Sequence, residues 1–499
     1  MKWLVLASLA TTLAQAQIQR VAPHADLAKR QAASPSSTSH AAATRTATGA
    51  ATATRSPAHT GGGGAVPSSP LASLTKIGTA TTAEATQPLP TTFAAGATPP
   101  VKGAPPLPAI NQLNPAHYPP LDRIPPLDSP EVKQWLSEID LSNIPSVNPT
   151  AIGGCANATN AQAIKDGGAD GNCWWTCGGC SRASDITYCP NKNDWGASFD
   201  DGPSPYTPRL LNLLESQNLK STFFIVGSRA LSRPEMVQAE YMLGHQLSIH
   251  TWSHSSLTTL SNEEIVAELG WTKKVIHDIT GVSPNTMRPP FGDIDDRVRY
   301  IALQMGLRPV IWTQYQDQVF DTRDWQIGGG VVNATGVYNT FNNFLTHAVQ
   351  NLPNGFIVLA HDLYQQSVDL AVDYILPGVI NAGQLKIKTI GACLGESPEQ
   401  LYIETASNSS SADSDPLLQT TSTFVGATGT GFVPGIALEA QQTSSPASGS
   451  SKGKNLEASK SGSSANAQQT GNTSGAMAVK AGGAGGLFAA TMLALAYLL

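Results

Sequence analysis

Short apolar runs alternate with amphipathic stretches between about residue 150 and residue 402. The runs at 195–200, 221–226, 246–250, 285–288, 308–312, 355–361 and 385–390 are bounded by turn residues, and each predicts a strand. The stretches between them predict helices. Ser261-Asn262-Glu263-Glu264 makes a capping box and opens a helix with Ile265, Leu269, Ile276 and Ile279 on one stripe. The stretches 207–218, 234–243 and 296–305 read the same way. About seven strand-then-helix units in a row imply an α/β fold. Its expected form is a distorted or incomplete (β/α) barrel of about seven parallel strands. Function in such a fold gathers where the strands end.

Outside that stretch the pattern disappears. Residues 31 to about 120 are mostly Ala, Ser, Thr, Pro and Gly, too poor in large apolar side chains to build a core. They are expected to form a disordered, O-glycosylated stalk. Residues 403–475 repeat that composition as a linker. The start, with one Lys, an apolar run and an A-Q-A site, reads as a signal peptide over 1–16. Lys29-Arg30 offers a second cut, which would make residues up to 30 a propeptide. At the other end, residues 487–499 are apolar and uncharged. A spacer and the small residues Asn472, Ser474 and Gly475 precede them. The expected reading is a glycosylphosphatidylinositol (GPI) anchor signal over 476–499, attached at Ser474, with Asn472 and Gly475 as alternatives. The apolar run is too short to span a bilayer. The layout that follows is a stalk over 17–120, a Cys-rich flank over 121–190 and a catalytic domain over 191–402.

A secreted chain favours disulfides. Cys155, Cys173, Cys177, Cys180, Cys189 and Cys393 are the six cysteines, and their pairing stays open. If all six pair, Cys393 must close a long loop. Trp174 and Trp175, among the clustered cysteines, read as part of a disulfide-braced flap rather than a sugar-binding module. Asn157, Asn333, Asn408 and Asn472 stand in N-x-S/T sequons and are expected to carry glycans where exposed. A net charge of −6 without a basic patch excludes nucleic acid as a partner.

The chemistry lies at the strand ends. The first strand ends in Asp200-Asp201, followed by Gly202-Pro203. The third runs into His250-Thr251-Trp252-Ser253-His254 and the fourth into Arg288-Pro289-Pro290-Phe291-Gly292. Beyond the fifth comes Asp321-Thr322-Arg323-Asp324-Trp325, and the sixth reaches Leu359-Ala360-His361. Two His four apart plus one Asp suit Zn²⁺, or another divalent ion such as Co²⁺, with an open position. The zincin Glu is missing from this His pair, which speaks against a metalloprotease. The base must come from elsewhere, and the carboxylate next to the ligand Asp is the candidate. His245, His277 and His347 read as structural or surface residues.

These five motifs, S-F-D-D-G-P, H-T-W-S-H, R-P-P-F-G, D-T-R-D-W and I-V-L-A-H, resemble in the same order those of the NodB-type polysaccharide deacetylases. They cover about residues 190–392, and the wall-protein architecture is most similar to the fungal chitin deacetylases. The resemblance implies that Asp200 is the general base and that Asp201, His250 and His254 hold the metal. It implies that Arg288 orients Asp200 and that the Phe291 backbone N–H meets the oxyanion. It further implies that Asp324 tunes His361, the general acid, and that Trp325 and Leu359 line the acetyl pocket. The segment 314–320 lengthens the approach to the fourth motif, so Asp317 and Asp321 rival Asp324 for His361. The implied reaction is metal-dependent N-deacetylation of chitin or N-acetylglucosamine oligomers at the wall. The implied protein is a GPI-anchored monomer. Its rivals are deacetylation of xylan or peptidoglycan, and a non-catalytic chitin-binding mannoprotein.

Overall fold

The computed structural model describes residues 66–79, 87–316 and 318–406. The expected signal peptide, dibasic site, anchor signal, Asp317, Asn408 and Asn472 all lie outside the described residues.

Five short strands make one parallel sheet in the order β2-β3-β4-β5-β6: Ser198–Asp200, Thr222–Ile225, Gln246–Ile249, Thr286–Met287 and Arg308–Pro309. A second parallel sheet orders β10-β1-β9: Lys386–Lys388, Asp194–Gly196 and Phe356–Ile357. Every predicted strand position carries a parallel strand. Where the sequence predicts a distorted or incomplete barrel, the described strands form two parallel sheets. The division falls at Ala197, where the first predicted strand breaks and changes partners: Ala197 N–H donates to the Lys388 carbonyl, and the Ala197 carbonyl accepts from Thr222 N–H. Isolated parallel bridges, Asp200 to His361, Asp321 to Leu359 and Ile186 to Val310, tie the sheets together. An antiparallel hairpin, β7 (Gln314–Tyr315) with β8 (Gln318–Val319), fills the stretch that lengthens the fourth motif.

The capping box forms as the sequence requires. The Ser261 side chain accepts from Glu264 N–H while Glu264 reaches back to Ser261 N–H. The helix Asn262–Thr280 ends at Gly281, whose φ of 83° suits a residue without Cβ. Its apolar stripe, Ile265, Leu269, Ile276 and Ile279, is fully buried.

The stalk expectation needs correcting. Over 66–79 and 87–120 the chain packs on the domain, burying Leu74, Val101 and Leu107. Asn381 clamps Val66 by two hydrogen bonds, at 2.8 and 2.9 Å. Gln238 donates to the Pro108 carbonyl at 2.9 Å. A composition average hides this. Proline restricts the unfolded chain, so ordering such a segment costs less entropy and a few spaced apolar anchors suffice to hold it. The Cys-rich flank is docked as well. Arg182 pairs with Asp296 at 2.6 Å, and the fully buried Arg299 pairs with Asp185 at 2.9 Å.

Three disulfides form: Cys155–Cys177, Cys173–Cys180 and Cys189–Cys393. The last spans a sequence separation of 204 and staples the start of the domain to its end. Closing so long a loop removes unfolded-state entropy worth about 5 kcal/mol in the chain-entropy model. Replacing Cys189 and Cys393 together by Ala should therefore lower stability by about 2–5 kcal/mol, read from the denaturation midpoint. An unchanged midpoint would show that the fold does not depend on this bridge.

Candidate active site

Successive strand residues face opposite sides, yet Asp200 and Asp201 both approach His250 Nε2, at 4.0 and 3.2 Å. The reason is a break in the backbone: Asp201 takes φ 76°, in the left-handed region. Gly202 then passes so close to Asp362 that a Cβ there would stand 2.5 Å from its carboxylate oxygens. Asp201 Oδ1 lies 3.2 Å from His250 Nε2 and 3.0 Å from His254 Nε2. These three donor atoms fall within 4.8 Å of one another. Apart from these two imidazole nitrogens the buried Asp201 Oδ1 atom has no partner, as suits an oxygen that meets a cation. Burial pushes the Asp201 carboxyl up, but His254 and His250 outweigh it and hold it well below the usual range. Burial pushes His254 down against the pull of Asp201. An ionised carboxylate and a neutral imidazole are the states in which these groups ligate a metal. The residues present therefore fit a divalent ion. His250 Nδ1 is fixed on the Arg288 carbonyl at 2.7 Å, which leaves Nε2 turned to Asp201 Oδ1.

Beside this trio stand two buried pairs. Arg288 Nη1 donates to Asp200 Oδ1 at 2.6 Å and to Ser198 Oγ at 3.0 Å, and its guanidinium lies 3.9 Å from the centre of the Phe224 ring. Asp200 Oδ2 is left 4.0 Å from His250 Nε2. In the other pair, His361 Nδ1 meets Asp324 Oδ1 at 2.7 Å, and His361 N–H donates to Asp324 Oδ2 at 2.9 Å. Thr322 Oγ and Trp325 N–H also donate to Asp324, each at 2.9 Å. Asp321 instead accepts from Arg323 N–H. Burial works against a charged His361, but Asp324 first, then Asp201 and Asp200, push it up to about 10. That value lies above the ordinary 6.5. This pair's contribution to folding stability is thus complete below about pH 6.5 and is lost as pH rises towards 10. The two pairs meet through the backbone, where Asp200 N–H donates to the Ala360 carbonyl and Asp362 N–H to that of Asp200.

The remaining sequence candidates lie around this centre. Phe291 is 53% exposed, at φ 61°, with its ring edge-on to His254 at 4.7 Å. Trp325 is half-buried beside Asp324, and Leu359 is buried. Trp174 and Trp175 are both buried, with Trp175 edge-on to Trp312 at 6.1 Å. Asn157 is half-buried and bonded to Ile152 and Thr159, while exposed Asn333 caps the helix Ala334–Asn351.

Sequence reasoning missed three supporting carboxyls. Glu268, fully buried, accepts from Trp252 N–H at 2.7 Å, Ser253 N–H at 2.9 Å and the Ser253 hydroxyl. It thereby anchors the loop between His250 and His254, and burial pushes it up to about 7. Asp362, next to His361, accepts from Thr207 and is likewise pushed up to about 7 by burial. Asp293 receives five hydrogen bonds from two segments. Trp174 and Thr176 of the disulfide flap donate to Oδ1, and Ser256 with Thr258, through both N–H and hydroxyl, to Oδ2. A Glu on the buried stripe of a helix, out of place among Ile and Leu, was the only sequence signal for Glu268.

A hydrolytic centre of this kind, on parallel α/β sheets with a His₂Asp cluster between an Asp–Arg and a His–Asp pair, defines a metal-dependent hydrolase. The description "Polysaccharide deacetylase" belongs to the family that matches residues 187–310. Chitin deacetylase 1 of Cryptococcus neoformans var. grubii is 56% identical over 363 residues, which are 72% of this chain and 73% of that protein. The chitin deacetylase of Amylomyces rouxii is 33% identical over 263 residues, 51% of this chain and 60% of that one. The solved chitin deacetylase of Colletotrichum lindemuthianum is 27% identical and covers 44% of this chain and 96% of its own, with a TM-score of 0.39. The extent of the Cryptococcus match shows that the chain belongs to the polysaccharide deacetylase family.

Asp293 makes a direct test of how the site is assembled. Asp293→Ala strands five donors, three of them in buried hydrogen bonds, and should cost about 3 kcal/mol or more in chemical denaturation, whereas a surface carboxylate would cost almost nothing.

Proposed function

We propose that this protein hydrolyses the N-acetyl groups of chitin, with a divalent metal, to give glucosamine units and acetate. The observation that carries this reading is the adjacency of base, acid and ligand set. Asp200 and His361 face each other across a parallel bridge, and Asp201 follows directly in the chain. The relative that is 56% identical bears the same activity in its name.

A divalent ion held by Asp201, His250 and His254 supplies Lewis acidity to the acetyl carbonyl and to a water molecule. Zn²⁺ is the choice that best suits two imidazoles and one carboxylate, with Co²⁺ as an alternative. The protein's own residues do the rest. Arg288 occupies Asp200 Oδ1 and leaves Oδ2 to take the proton of the attacking water. The Phe291 N–H is the donor to the developing oxyanion. His361, with Nδ1 committed to Asp324, delivers a proton from Nε2 to the departing nitrogen as the C–N bond breaks. Acid and base of this kind contribute about 10²–10⁴-fold each. Trp325 and Leu359 enclose the acetyl methyl. The apolar ends of the sequence support a secreted protein, anchored at the outer membrane face through Ser474 or a neighbour. Asn157 and Asn333 are its proposed glycan sites among the described residues.

Acetate should be released from N-acetylglucosamine oligomers in the presence of Zn²⁺ and not in the presence of a chelator. Asp200→Asn should cut kcat/KM by about 10²–10⁴-fold. Release from acetylxylan alone would overturn the substrate, and no release from either by a folded, metal-loaded protein would overturn the function.

The acid has its own signature. His361 keeps its proton until pH approaches its raised value, so it sets the alkaline limb of the kcat profile. A bound cation offsets the share due to Asp201 and Asp200, and the share due to Asp324 remains. Asp324→Asn leaves burial dominant, and the alkaline limb should move to lower pH. A limb that stays in place would assign the acid role to another group.

A further inference from the structure

The loop that presents His250 and His254 holds an unfavourable backbone. Thr251 at φ 63° and His254 at φ 58° both lie in the left-handed region. Such conformations persist only where the surroundings over-determine them. From inside the domain Glu268 holds the loop by its N–H groups. From outside it is held by a segment far from the family motifs.

Trp252, between the two ligands, is fully buried. Its Nε1 donates to the Pro120 carbonyl at 3.0 Å. Its ring lies parallel to that of Tyr118, with centroids 6.2 Å apart and 1° between the planes. On another side the domain backbone closes in, since a Cβ on Gly227 would stand 2.6 Å from Trp252 Cε3. Tyr118 is itself pinned. Its hydroxyl donates to Asp278 Oδ2 at 2.6 Å, and its ring meets Trp271 edge-on at 6.0 Å. Lys274 Nζ lies 5.3 Å from the ring centre. Further along, Asp122 accepts from the Ser228 hydroxyl at 2.8 Å, while Ser228 N–H donates to the Trp252 carbonyl at 3.1 Å.

We infer that the segment Tyr118-Pro119-Pro120 is a positioning element of the metal centre. It locks the Trp252 indole, and through it the spacing of His250 and His254. The segment lies outside residues 187–310, the span that matches the family. Tyr118 touches no ligand atom and acts only through Trp252. The inference rests on the proposed function, because it takes the His₂Asp trio as the metal site.

The test is the Zn²⁺ affinity of the full secreted chain. Metal is first stripped with a chelator, then titrated back against a chromophoric competitor well below the unfolding midpoint. Loss of a supporting contact typically weakens a metal site about 10–100-fold. Tyr118→Ala should weaken Zn²⁺ binding by about 10-fold. Tyr118→Phe, which keeps the stacked ring, should bind like wild type. Leu107→Ala, buried in the same N-terminal segment but outside Tyr118-Pro119-Pro120, should lower the melting midpoint and leave the affinity unchanged. If Tyr118→Ala does not fold, Tyr118→Leu carries the same expectation. Wild-type affinity in the folded Tyr118 variant, whatever its melting point, overturns the positioning role alone. A folded wild-type protein that binds neither Zn²⁺ nor Co²⁺ overturns this inference and the proposed function together.

Discussion

The site depends on four side-chain-bearing residues held in left-handed backbone: Asp201 at φ 76°, Thr251 at 63°, His254 at 58° and Phe291 at 61°. Each such conformation costs on the order of 1–3 kcal/mol. Each is also what makes the geometry work. Without the break at Asp201, the alternation of a strand would send one of the adjacent carboxylates into the opposite layer. Without the turns at Thr251 and His254, two imidazoles four residues apart would not converge on one oxygen. The surrounding contacts hold what the backbone alone would refuse. Gly202 admits Asp362 at close range, Glu268 gathers the N–H groups of the ligand loop, and Asp293 ties the turn after Phe291 to two other segments.

Electrostatics divides the carboxylates by role. Asp200 and Asp324 each have a dedicated cationic or imidazole partner, and Asp201 faces two imidazoles. Glu268 and Asp362 have only neutral donors, and burial raises both to about 7. The first group faces cationic or imidazole partners, while the second accepts hydrogen bonds where burial opposes its ionisation. The guanidinium of Arg288 lies over the Phe224 ring and bonds Asp200, so its own burial is compensated on two sides.

The flanks belong to this design. The disulfide flap reaches the site through Trp174, Trp175 and Thr176, and the proline-rich segment reaches it through Tyr118 and Pro120. Both lie before the span that matches the family. The domain is therefore larger than its motifs, and the packing that keeps the ligand loop in place comes partly from residues that take no part in the chemistry.

Local signals were legible in the sequence. The strand positions, the Ser261–Glu264 capping box, the buried stripe of Asn262–Thr280 and the reactive residues at the strand ends all follow from side-chain chemistry and spacing within a few residues of one another. What the sequence left open depends on contacts between distant positions. Cys189 finds Cys393 only once the first and last strands lie side by side. Asp324, not Asp321, meets His361 because the bridge at Leu359 sets the register and turns Asp321 towards its own chain. The split of the expected barrel at Ala197 is a change of partner that no local pattern encodes. The same holds for residues 66–79 and 87–120, whose composition resembles a stalk. Their few apolar anchors acquire meaning only against the surface they cover, as Tyr118 does against Trp252. Sequence alone determined which ionisable groups stand at the strand ends. Tertiary structure decided which of them meet, because only packing between remote segments can hold strained backbone and buried charge in place.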